Sequence, residues 1–577
     1  MKIVLVLFLY FISFISLKSA NITGNESANK STPDFGPTVI IFDPSTPMET
    51  IQEKCDTVFK QQERSQFGKN RYALLFKPGT YTVDVNVGYY THVIGLGMLP
   101  DDAQITGAVH AEGDWFRGNV TQNFWRACEN LAIIPAEDNT NRWAVSQAAP
   151  FRRMHIKGNL VLHDGGWASG GFISDSKIDG RVNSGPQQQW YSRNSEFGEW
   201  RGNNWNMVFQ GIINPPEGIW PDSAFTIIKK TPVIREKPFL YIDKSDNYFV
   251  FVSSLRKDAI GNSWSSGEPM GKSIPIDQFY IIHAGKDSAE SINAALQQNK
   301  NLLFTPGIYY LGQSIKITRS GTIVLGLGIP TLIPENGNPV MEVADVDGVQ
   351  IAGILFDAGA KESPTLLQIG EEGSKKDHSA NPISLHDVFC RVGGMTAGMA
   401  ATSLKINSNN VIGDHFWIWR ADHGSGVGWE VNKALNGLVV NGNDVTIYGL
   451  FVEHYQEYQT LWNGNGGRCY FYQCELPYDP PDQSSWEHNG INGWAGYKVS
   501  DSVVSHEAWG LGVYAFLRHS GVNCSNAFEV PKTPAVSMHH LVSISFSRRG
   551  GEITNVINGV GEAANRSHNK SVLERYP

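Results

Sequence analysis

An internal repeat is the feature that most constrains the fold of this chain of 577 residues. LLFKPGTY at residues 74–81 is followed by VIGLG at 93–97, and LLFTPGIY at 302–309 is followed by VLGLG at 324–328. A helix-like stretch precedes the first motif of each pair, METIQEKCDTVFKQQ in the first half and DSAESINAALQQ in the second, where Ser288 is placed to cap the helix. The repeat therefore predicts two related units, each with one helix near its start.

After each repeat motif, the chain consists of short segments rich in β-branched and aromatic residues. Segments such as NLAIIPA, GVQIAGILFDAG and DVTIYGLFVEH are separated by Gly, Asn and Asp, and no long amphipathic helix lies between them. This pattern favours the coils of a parallel β-helix, with a sandwich array or a propeller as the alternative. We therefore expect an all-β protein made of two tandem parallel β-helices packed side by side.

The repeat also sets the predicted domain boundaries. The first β-helix is expected over residues 38–213 and the second over 280–577. Residues 214–279 contain TPVIREKPFLYIDKSDNYFVFVSSLRK and no long Pro/Gly/Ser-rich tract, so connector strands are predicted there rather than a flexible linker.

The N-terminus has the pattern of a secretory signal peptide over residues 1–20. Lys2 precedes an apolar run at 3–17, which is too short for a comfortable membrane span, and Ala20 closes the segment. Residues 21–37 form a polar lead segment. The chain also carries N-x-S/T sequons, which suit a glycoprotein, at Asn21, Asn25, Asn29, Asn119, Asn523, Asn565 and Asn569. We therefore expect a secreted, extracellular protein.

Charge and cysteine content exclude several classes of partner and cofactor. The formal net charge is -9 and no run of five Lys and Arg occurs, so a nucleic-acid or acidic-membrane partner is not expected. Six cysteines are too few for a disulfide framework, and the odd separation of Cys469 and Cys474 on one strand would point them to opposite faces. No CxxC or HExxH motif occurs, so we predict no metal and no cofactor. We expect a monomer.

Two pairs of polar side chains are spaced by one predicted coil. Aligning VIGDHFWIWR, VTIYGLFVEH and GRCYFYQCEL by their hydrophobic pattern puts Trp419, Glu453 and Glu475 at one position in three consecutive coils. In the first half, Gln147 and Ser169 have the same separation as the two glutamates. Two carboxylates beside an aromatic ring are what glycoside hydrolysis requires. A solvated ladder of glutamates on an outer face, with the tryptophan in the core, is the alternative.

Longer blocks of the sequence resemble a known family. NFWRACENL, WAVSQAAPFRRMHIKG, SGGFISDSKIDG, QQQWYSRNSEFGEW and VADVDGVQIAGILFDAG resemble glycoside hydrolase family 55, the exo-acting β-1,3-glucanases or laminarinases. The similarity runs from roughly residue 38 to the C-terminus. It implies a tandem right-handed β-helix of the pectate-lyase-like type, an active site in the cleft between the halves, and inverting hydrolysis from the non-reducing end.

The resemblance also implies roles for individual residues. The family's general acid corresponds to Glu475 in FYQCELPYD, and its nucleophilic water would be held by Glu453 together with Gln147 and Ser169. The first half would then help to hold the water while the second half supplies both carboxyl groups.

Trp419 and Tyr478 resemble the family's sugar-contacting aromatic residues. Glu457, Glu487 and Glu507 lie nearby and are rival candidates; Glu457 would be the base if the strand register were different. The expected activity is that of a glucan exo-1,3-β-glucosidase. A polysaccharide lyase on the same scaffold and a non-catalytic glycan-binding protein are the other two hypotheses.

Overall fold

Strands in the first half pair in parallel with strands one coil away, as the repeat predicts. The computed structural model describes residues 32–267, 269–548 and 550–577, so the predicted signal peptide lies outside the described residues, as does most of the polar lead segment. One sheet of the first half has nine strands, all paired in parallel. In spatial order they are Val39–Phe42, Tyr72–Phe76, Thr91–Gly95, Ala127–Glu129, Phe151–Arg152, Phe172–Ser174, Gln189–Arg193, Asn206–Gln210 and Phe225–Ile228.

A second parallel sheet closes the coils of the first half. Its strands are Gly79–Asn86, Ala103–His110, Ala132–Pro135, His155–Ile156, Lys177–Asn183, Asn159–Val161, Thr140–Arg142 and Glu196–Arg201. We call these two sheets the first stack. It continues past the predicted boundary at residue 213, because Phe225–Ile228 adds one more parallel strand to the first sheet.

The second half repeats the arrangement at larger size, and we call it the second stack. Its larger sheet contains Phe279–Ile282, Asn301–Phe304, Ile308–Leu311, Ile323–Gly326, Thr331–Pro334, Gln350–Asp357, Ser384–Val392, Ile412–Arg420, Thr446–Glu453, Gly467–Glu475, His506–Ala515, Val536–Ser545 and Lys570–Tyr576. Its other sheet contains Ile315–Ile317, Met341–Val343, Ser363–Ile369, Ala400–Ile406, Asn436–Val440, Thr460–Trp462, Tyr497–Val499, Cys524–Glu529 and Ile553–Ile557. Two tandem parallel β-helices, predicted from the sequence, are confirmed.

Antiparallel strands occupy the connector and the end of the second stack. The connector strands are Thr231–Ile234 with Arg256–Ala259, and Phe239–Ile242 with Tyr248–Ser253 and Gly271–Pro275. Lys570–Tyr576 runs antiparallel to Val536–Ser545 in the larger sheet of the second stack. A short hairpin joins Glu487–His488 to Ile491–Asn492, and 3-10 turns cover Pro100–Asp102, Asp114–Phe116 and Ile276–Gln278.

Both predicted helices are present near the start of their stacks. The first, Met48–Gln62, buries Ile51, Cys55 and Val58 at helical spacing against the core of the first stack. The second, Ala289–Gln297, begins after Ser288, whose hydroxyl accepts a hydrogen bond from the backbone N–H of Ser291. The Ser288 cap is confirmed.

Besides the core inside each stack, a third apolar cluster fills the boundary between the stacks. It includes Trp125, Phe172 and Tyr191 of the first stack with Trp417 and Phe451 of the second. The second-stack strands that face this boundary are therefore buried on both sides, and every residue of Ser384–Val392, Ile412–Arg420 and Thr446–Glu453 is buried. All six cysteines are buried and free.

The larger sheet of the second stack bends at the same place in successive coils, where one residue adopts a left-handed conformation. The residues of this corner column are Gly353, Asp387, His415, Gly449, Phe471, Gly510 and His540, with φ between 49° and 71°. A Cβ on Gly449 would lie 3.0 Å from the Tyr191 ring and 3.1 Å from the Phe172 ring. A side chain on residue 449 would therefore press on the rings of the first stack, and glycine also adopts the left-handed φ without strain.

Buried ion pairs cross the boundary beside the corner column. Arg152 of the first stack lies 2.8 Å from the carboxylate of Asp387 and 2.6 Å from that of Asp414. Arg193 lies 2.9 Å from Asp414 and 2.7 Å from Glu236 of the connector. Burial opposes the charge on Asp414, but Arg152 and Arg193 outweigh it and hold its pKa well below the ordinary value.

Replacing Asp414 with Asn tests how much this network stabilises the packed stacks. We expect a loss of roughly 3 kcal/mol, because two buried arginines lose a shared counter-charge. Differential scanning calorimetry should show a fall of several degrees in the apparent Tm. Asp258→Asn is the matched control, since Asp258 pairs with Lys230 at 3.9 Å where both side chains are largely exposed. Equal falls in the two variants would contradict the importance of the buried pairs.

Candidate active site

Trp419, Glu453 and Glu475 lie at one register position on three neighbouring strands, as the alignment of the sequence predicts. Trp419 pairs with Glu453, and Glu453 pairs with Glu475. Neighbouring strands are about 4.8 Å apart, so the two glutamates leave the sheet side by side on its outer face. That face is turned to the first stack. The alternative of a solvated glutamate ladder is therefore wrong, because Glu453 is buried at the boundary between the stacks.

A cavity of about 250 Å³ lies between the two stacks around these glutamates. The first stack and its loops contribute Thr121, Gln122, Phe124, Gln147, Ser169 and Gln188 to its walls, and the second contributes Trp417, Trp419, Asp422, His423, Glu453, His454, Glu475, Tyr478, Tyr514, Ala515, Phe516 and Phe546. All six residues singled out from the sequence thus line one cavity.

Glu453 is held by donors from both stacks. Its Oε1 accepts a hydrogen bond from Gln147 Nε2 at 3.0 Å, and its Oε2 accepts one from Trp417 Nε1 at 3.0 Å. Burial, followed by the charge of Glu475, raises the pKa of Glu453 well above the ordinary value. The two N–H donors act in the opposite direction, because they stabilise a negative charge on this carboxyl group.

Glu475 is the more accessible of the two carboxyl groups, with 17% of its side chain exposed. Tyr478 donates its hydroxyl proton to Oε2, and Gln473 Nε2 donates to Oε1 at 3.3 Å. Burial raises the pKa of Glu475, and nearby Asp422 raises it further, while His454 and Tyr478 lower it. The pKa of both carboxyl groups is therefore raised, and the N–H donors of Trp417 and Gln147 favour the charged form of Glu453.

Gln147 is positioned by contacts on each side of its backbone. It has a left-handed φ of 34°, and its N–H donates to the carbonyl oxygen of Gly170 at 2.7 Å. Its own carbonyl oxygen lies 3.0 Å from Nε2 of His415, whose Nδ1 lies 2.9 Å from Asp387. His415 and Asp387 belong to the corner column. They connect the ion pairs at the boundary to Gln147, the residue that contacts Glu453.

Ser169 lies one coil from Gln147 and is buried against the cavity. Its backbone N–H donates to Ser146 Oγ at 3.0 Å, and its carbonyl oxygen accepts from Gln189 Nε2. The structure thus brings Ser169 and Gln147 of the first stack to the same cavity as Glu453 and Glu475, which the sequence spacing alone did not require.

The two predicted aromatic contacts have different surroundings. Trp419 is only 2% exposed and stacks on Trp417, with ring centroids 5.0 Å apart and an interplanar angle of 18°. It therefore presents little surface to the cavity. Tyr478 lines the cavity, and its ring packs on that of His454 at 4.3 Å. The rivals Glu457, Glu487 and Glu507 are absent from the walls of this cavity.

Sequence reasoning missed three residues that lie next to the carboxyl groups, Trp417, Gln473 and His454. Trp417 donates to Glu453, and its position two residues before Trp419 on the same strand was the available signal. His454 lies with Nε2 4.0 Å from Glu475 and takes a left-handed φ of 69°, which no sequence pattern indicated. In the described ranges, no group of three or more His, Cys, Asp and Glu side chains is placed to hold a metal ion. No helix in the same ranges is long and apolar enough to span a membrane.

Replacing Glu475 with Gln should stabilise the protein at neutral pH. A carboxyl group with a raised pKa in the folded state contributes stability that is full at low pH and is lost as the pH rises through that pKa. The substituted amide carries no charge, so the repulsion with Glu453 disappears. We expect a higher apparent Tm than in the wild type at pH 7 and a smaller difference at pH 4, measured by calorimetry. Glu487→Gln, on the exposed hairpin, is the control without such a pH-dependent difference; a gain that is equal at both pH values would contradict the coupling.

Three comparisons with known proteins agree with this architecture. The model of the LAM55 pectate lyase-like domain matches residues 280–475. An exo-beta-1,3-glucanase of Streptomyces sp. (strain SirexAA-E / ActE) is 51% identical over 533 residues, which cover 92% of this chain and 87% of the relative.

Two solved structures extend the similarity to the whole fold. The structure of sacteLam55A from Streptomyces sp. SirexAA-E has a TM-score of 0.93 and 50% identity, and the match covers 94% of this chain and 99% of that one. The structure of a glutamate-to-alanine variant of sacteLam55A in complex with glucose has a TM-score of 0.92 and 49% identity, with coverage of 95% and 99%. The extent and identity of these matches show that the chain belongs to glycoside hydrolase family 55, the family of exo-β-1,3-glucanases.

Proposed function

We propose that this protein hydrolyses β-1,3-glucan of the laminarin type and releases terminal glucosyl units from the non-reducing end by an inverting, single-displacement mechanism. The observation that carries the proposal is the pair of register-matched carboxyl groups, Glu453 and Glu475, in one cavity between the stacks. The relative named as an exo-beta-1,3-glucanase supports the substrate class, and it favours a hydrolase over a lyase or a non-catalytic binding protein.

Glu475 is the proposed general acid. It is the more accessible carboxyl group, and its raised pKa keeps a proton available for the glycosidic oxygen. Donation of that proton breaks the bond between the anomeric carbon and the leaving sugar, which departs with a new hydroxyl group. His454 and Tyr478 limit how far the pKa of Glu475 rises.

Glu453 is the proposed base. Gln147 and Trp417 hold its carboxylate from two directions, so its orientation is fixed before substrate enters. A water molecule held between Glu453, Gln147 and Ser169 attacks the anomeric carbon from the face opposite to the leaving oxygen and gives its proton to Glu453. The product sugar then has the α configuration, and one proton has moved from Glu475 to the leaving group.

The dimensions of the cavity support action at a chain end. At about 250 Å³ it is smaller than the 300–1,000 Å³ that is usual for ligand pockets. A cavity of this size suits one terminal sugar better than a length of polymer. The structure of a related protein in complex with glucose also supports the binding of a single terminal sugar. Trp419 and Tyr478 are the proposed aromatic contacts of the terminal sugar, with Tyr478 also orienting the acid.

Secretion and glycosylation form part of the same proposal. A β-1,3-glucan polymer is an extracellular substrate for a secreted enzyme, and the pattern of residues 1–20 is that of a secretory signal peptide. Among the sequons in the described ranges, Asn569 is exposed and available for a glycan. The protein is proposed to act as a monomer without a cofactor.

Substitution of the two carboxyl groups tests their roles. Glu475→Gln should lower kcat on laminarin by about 10² to 10⁴, because the leaving oxygen loses its acid. Glu453→Gln should be nearly as damaging, since it removes the charge that activates the water, and Ser169→Ala should be milder. Initial rates of glucose release measure all three. Glu457→Gln, outside the cavity, should retain activity; near-normal turnover of Glu475→Gln would refute its assignment as the acid.

The configuration of the first product tests the inverting mechanism. Proton NMR during the first minutes of laminarin hydrolysis should show α-glucose before mutarotation, because water attacks opposite to the leaving group. The anomeric signals of α- and β-glucose are resolved in such spectra, so the order of their appearance is decisive. A β-anomer appearing first would show retention and exclude Glu453 as the base of a single displacement.

A further inference from the structure

Each ring nitrogen of His415 faces a hydrogen-bond acceptor. Nδ1 lies 2.9 Å from Oδ1 of Asp387, and Nε2 lies 3.0 Å from the carbonyl oxygen of Gln147. Burial opposes the charge on Asp387, but nearby donors, Arg152 above all, outweigh it and hold its pKa well below the ordinary value, so this group is a carboxylate. A carboxylate and a carbonyl oxygen can only accept, whereas a neutral imidazole has a single N–H. Both contacts are therefore hydrogen bonds only when the His415 ring carries two protons.

The surroundings of His415 fix the direction of its ring and suit a positive charge. The ring is fully buried, and Phe172 of the first stack lies on it with ring centroids 4.4 Å apart and an interplanar angle of 11°. Phe389 and Phe451 meet it at interplanar angles of 80° and 78°. The face of an aromatic ring attracts a cation, and Asp387 supplies the matching negative charge. The ring thus has little freedom to turn.

Gln147 depends on His415 because its backbone has a conformation that few residues adopt. Its φ is 34°, which for a residue with a side chain persists only where neighbouring groups hold it. Its N–H donates to Gly170 at 2.7 Å, and His415 is placed to donate to its carbonyl oxygen. These two contacts set the position from which the Gln147 side chain reaches Glu453.

We propose that His415 acts as an imidazolium that positions the hydrolytic water through Gln147. Its Nδ1–H is anchored on Asp387, and its Nε2–H holds the carbonyl oxygen of Gln147, whose side chain then holds the carboxylate of Glu453. In the part of the chain that the structure describes, His415 is absent from the walls of the active-site cavity, so it is a positioning residue and not a catalytic one. The inference rests on the proposed function, since it takes Glu453 and Gln147 to hold the water.

Replacing His415 with Asn tests the contact with Gln147. The Asn amide nitrogen takes about the place of Nδ1 and can keep the bond to Asp387, but it is too short to reach the carbonyl oxygen of Gln147. Asn also tolerates the left-handed φ of 71° at this position. We expect kcat on laminarin to fall roughly 10- to 100-fold with KM nearly unchanged, because a small displacement of a reacting group is costly. Initial rates of glucose release measure both constants.

His386→Asn is the matched control, since His386 is also fully buried beside the same ion pairs. Its Nδ1 lies 3.5 Å from Asp414, and among the described residues it makes no hydrogen bond to Gln147. This variant should lose stability without a comparable loss of kcat. Equal falls of kcat in the two variants would show a general effect of disturbing the boundary and would contradict the inference.

A double-mutant cycle separates positioning from a structural effect. If His415 acts through Gln147, adding His415→Asn to Gln147→Ala should lower kcat by about twofold at most, because the side chain that it positions is already gone. Independent effects would multiply, and the double variant would then show the full additional fall. That result would overturn the inference.

NMR of the wild-type protein with isotope-labelled histidine tests the protonation state without relying on the folding of a variant. Both ring nitrogens of His415, identified by their contacts with the Phe172 ring, should carry a proton at neutral pH. A proton on only one of them would overturn the imidazolium. Unchanged kcat in His415→Asn, with wild-type enzyme active on laminarin, would overturn the positioning role alone. A wild-type protein that releases no sugar from laminarin would overturn the proposed function and the positioning role with it.

Discussion

The packing of one β-helix against the other is the constraint on which the rest of this structure depends. A strand inside a single β-helix has one face toward its own core and one toward solvent, whereas the strand Ile412–Arg420 is buried on both. Aromatic rings fill most of that boundary, and Arg152 and Arg193 place positive charge beside Asp387 and Asp414. Burying these groups is favourable only while each has its partners, so the relative placement of the stacks is fixed within narrow limits.

The corner column explains why side chains at the boundary depart from the regular alternation of a β-strand. A regular strand would direct neighbouring side chains alternately inward and outward. A left-handed residue in the middle of each strand interrupts that alternation, as a bulge does. His415 and Asp387 occupy such positions, and their side chains meet the carbonyl oxygen of Gln147 and the guanidinium of Arg152. The same backbone device therefore supports both the boundary and the amide that contacts Glu453.

Electrostatics at the site follow from this placement. Burial raises the pKa of both carboxyl groups, the charge of Glu475 raises that of Glu453 further, and a carboxyl group that stays protonated is what acid catalysis needs. The donors Trp417 and Gln147 come from different stacks and converge on one carboxyl group. Glu453 and Glu475 are chemically identical and stand at equivalent positions of neighbouring coils. The packing of the two stacks gives them different hydrogen-bond partners.

The repeated motifs, the two helices and the parallel coils follow from local pattern, because strand and cap propensities depend on neighbouring residues. The file of Trp419, Glu453 and Glu475 was also predictable, since coil stacking carries residues at equal positions into one column. The resemblance to a known family added roles for Gln147, Ser169 and Tyr478. Neither source revealed that Trp417 donates to Glu453, that Trp419 is almost fully covered, or that the first stack extends to Ile228.

The sequence by itself determined the two coiled units and the column in which both glutamates stand, because those features depend on spacing along one chain. Only the tertiary structure decided which side chains surround the glutamates and how their charges are balanced. Contacts such as Gln147 with Glu453 join residues 306 positions apart. Their geometry depends on how two finished surfaces fit together, and no local pattern specifies that fit.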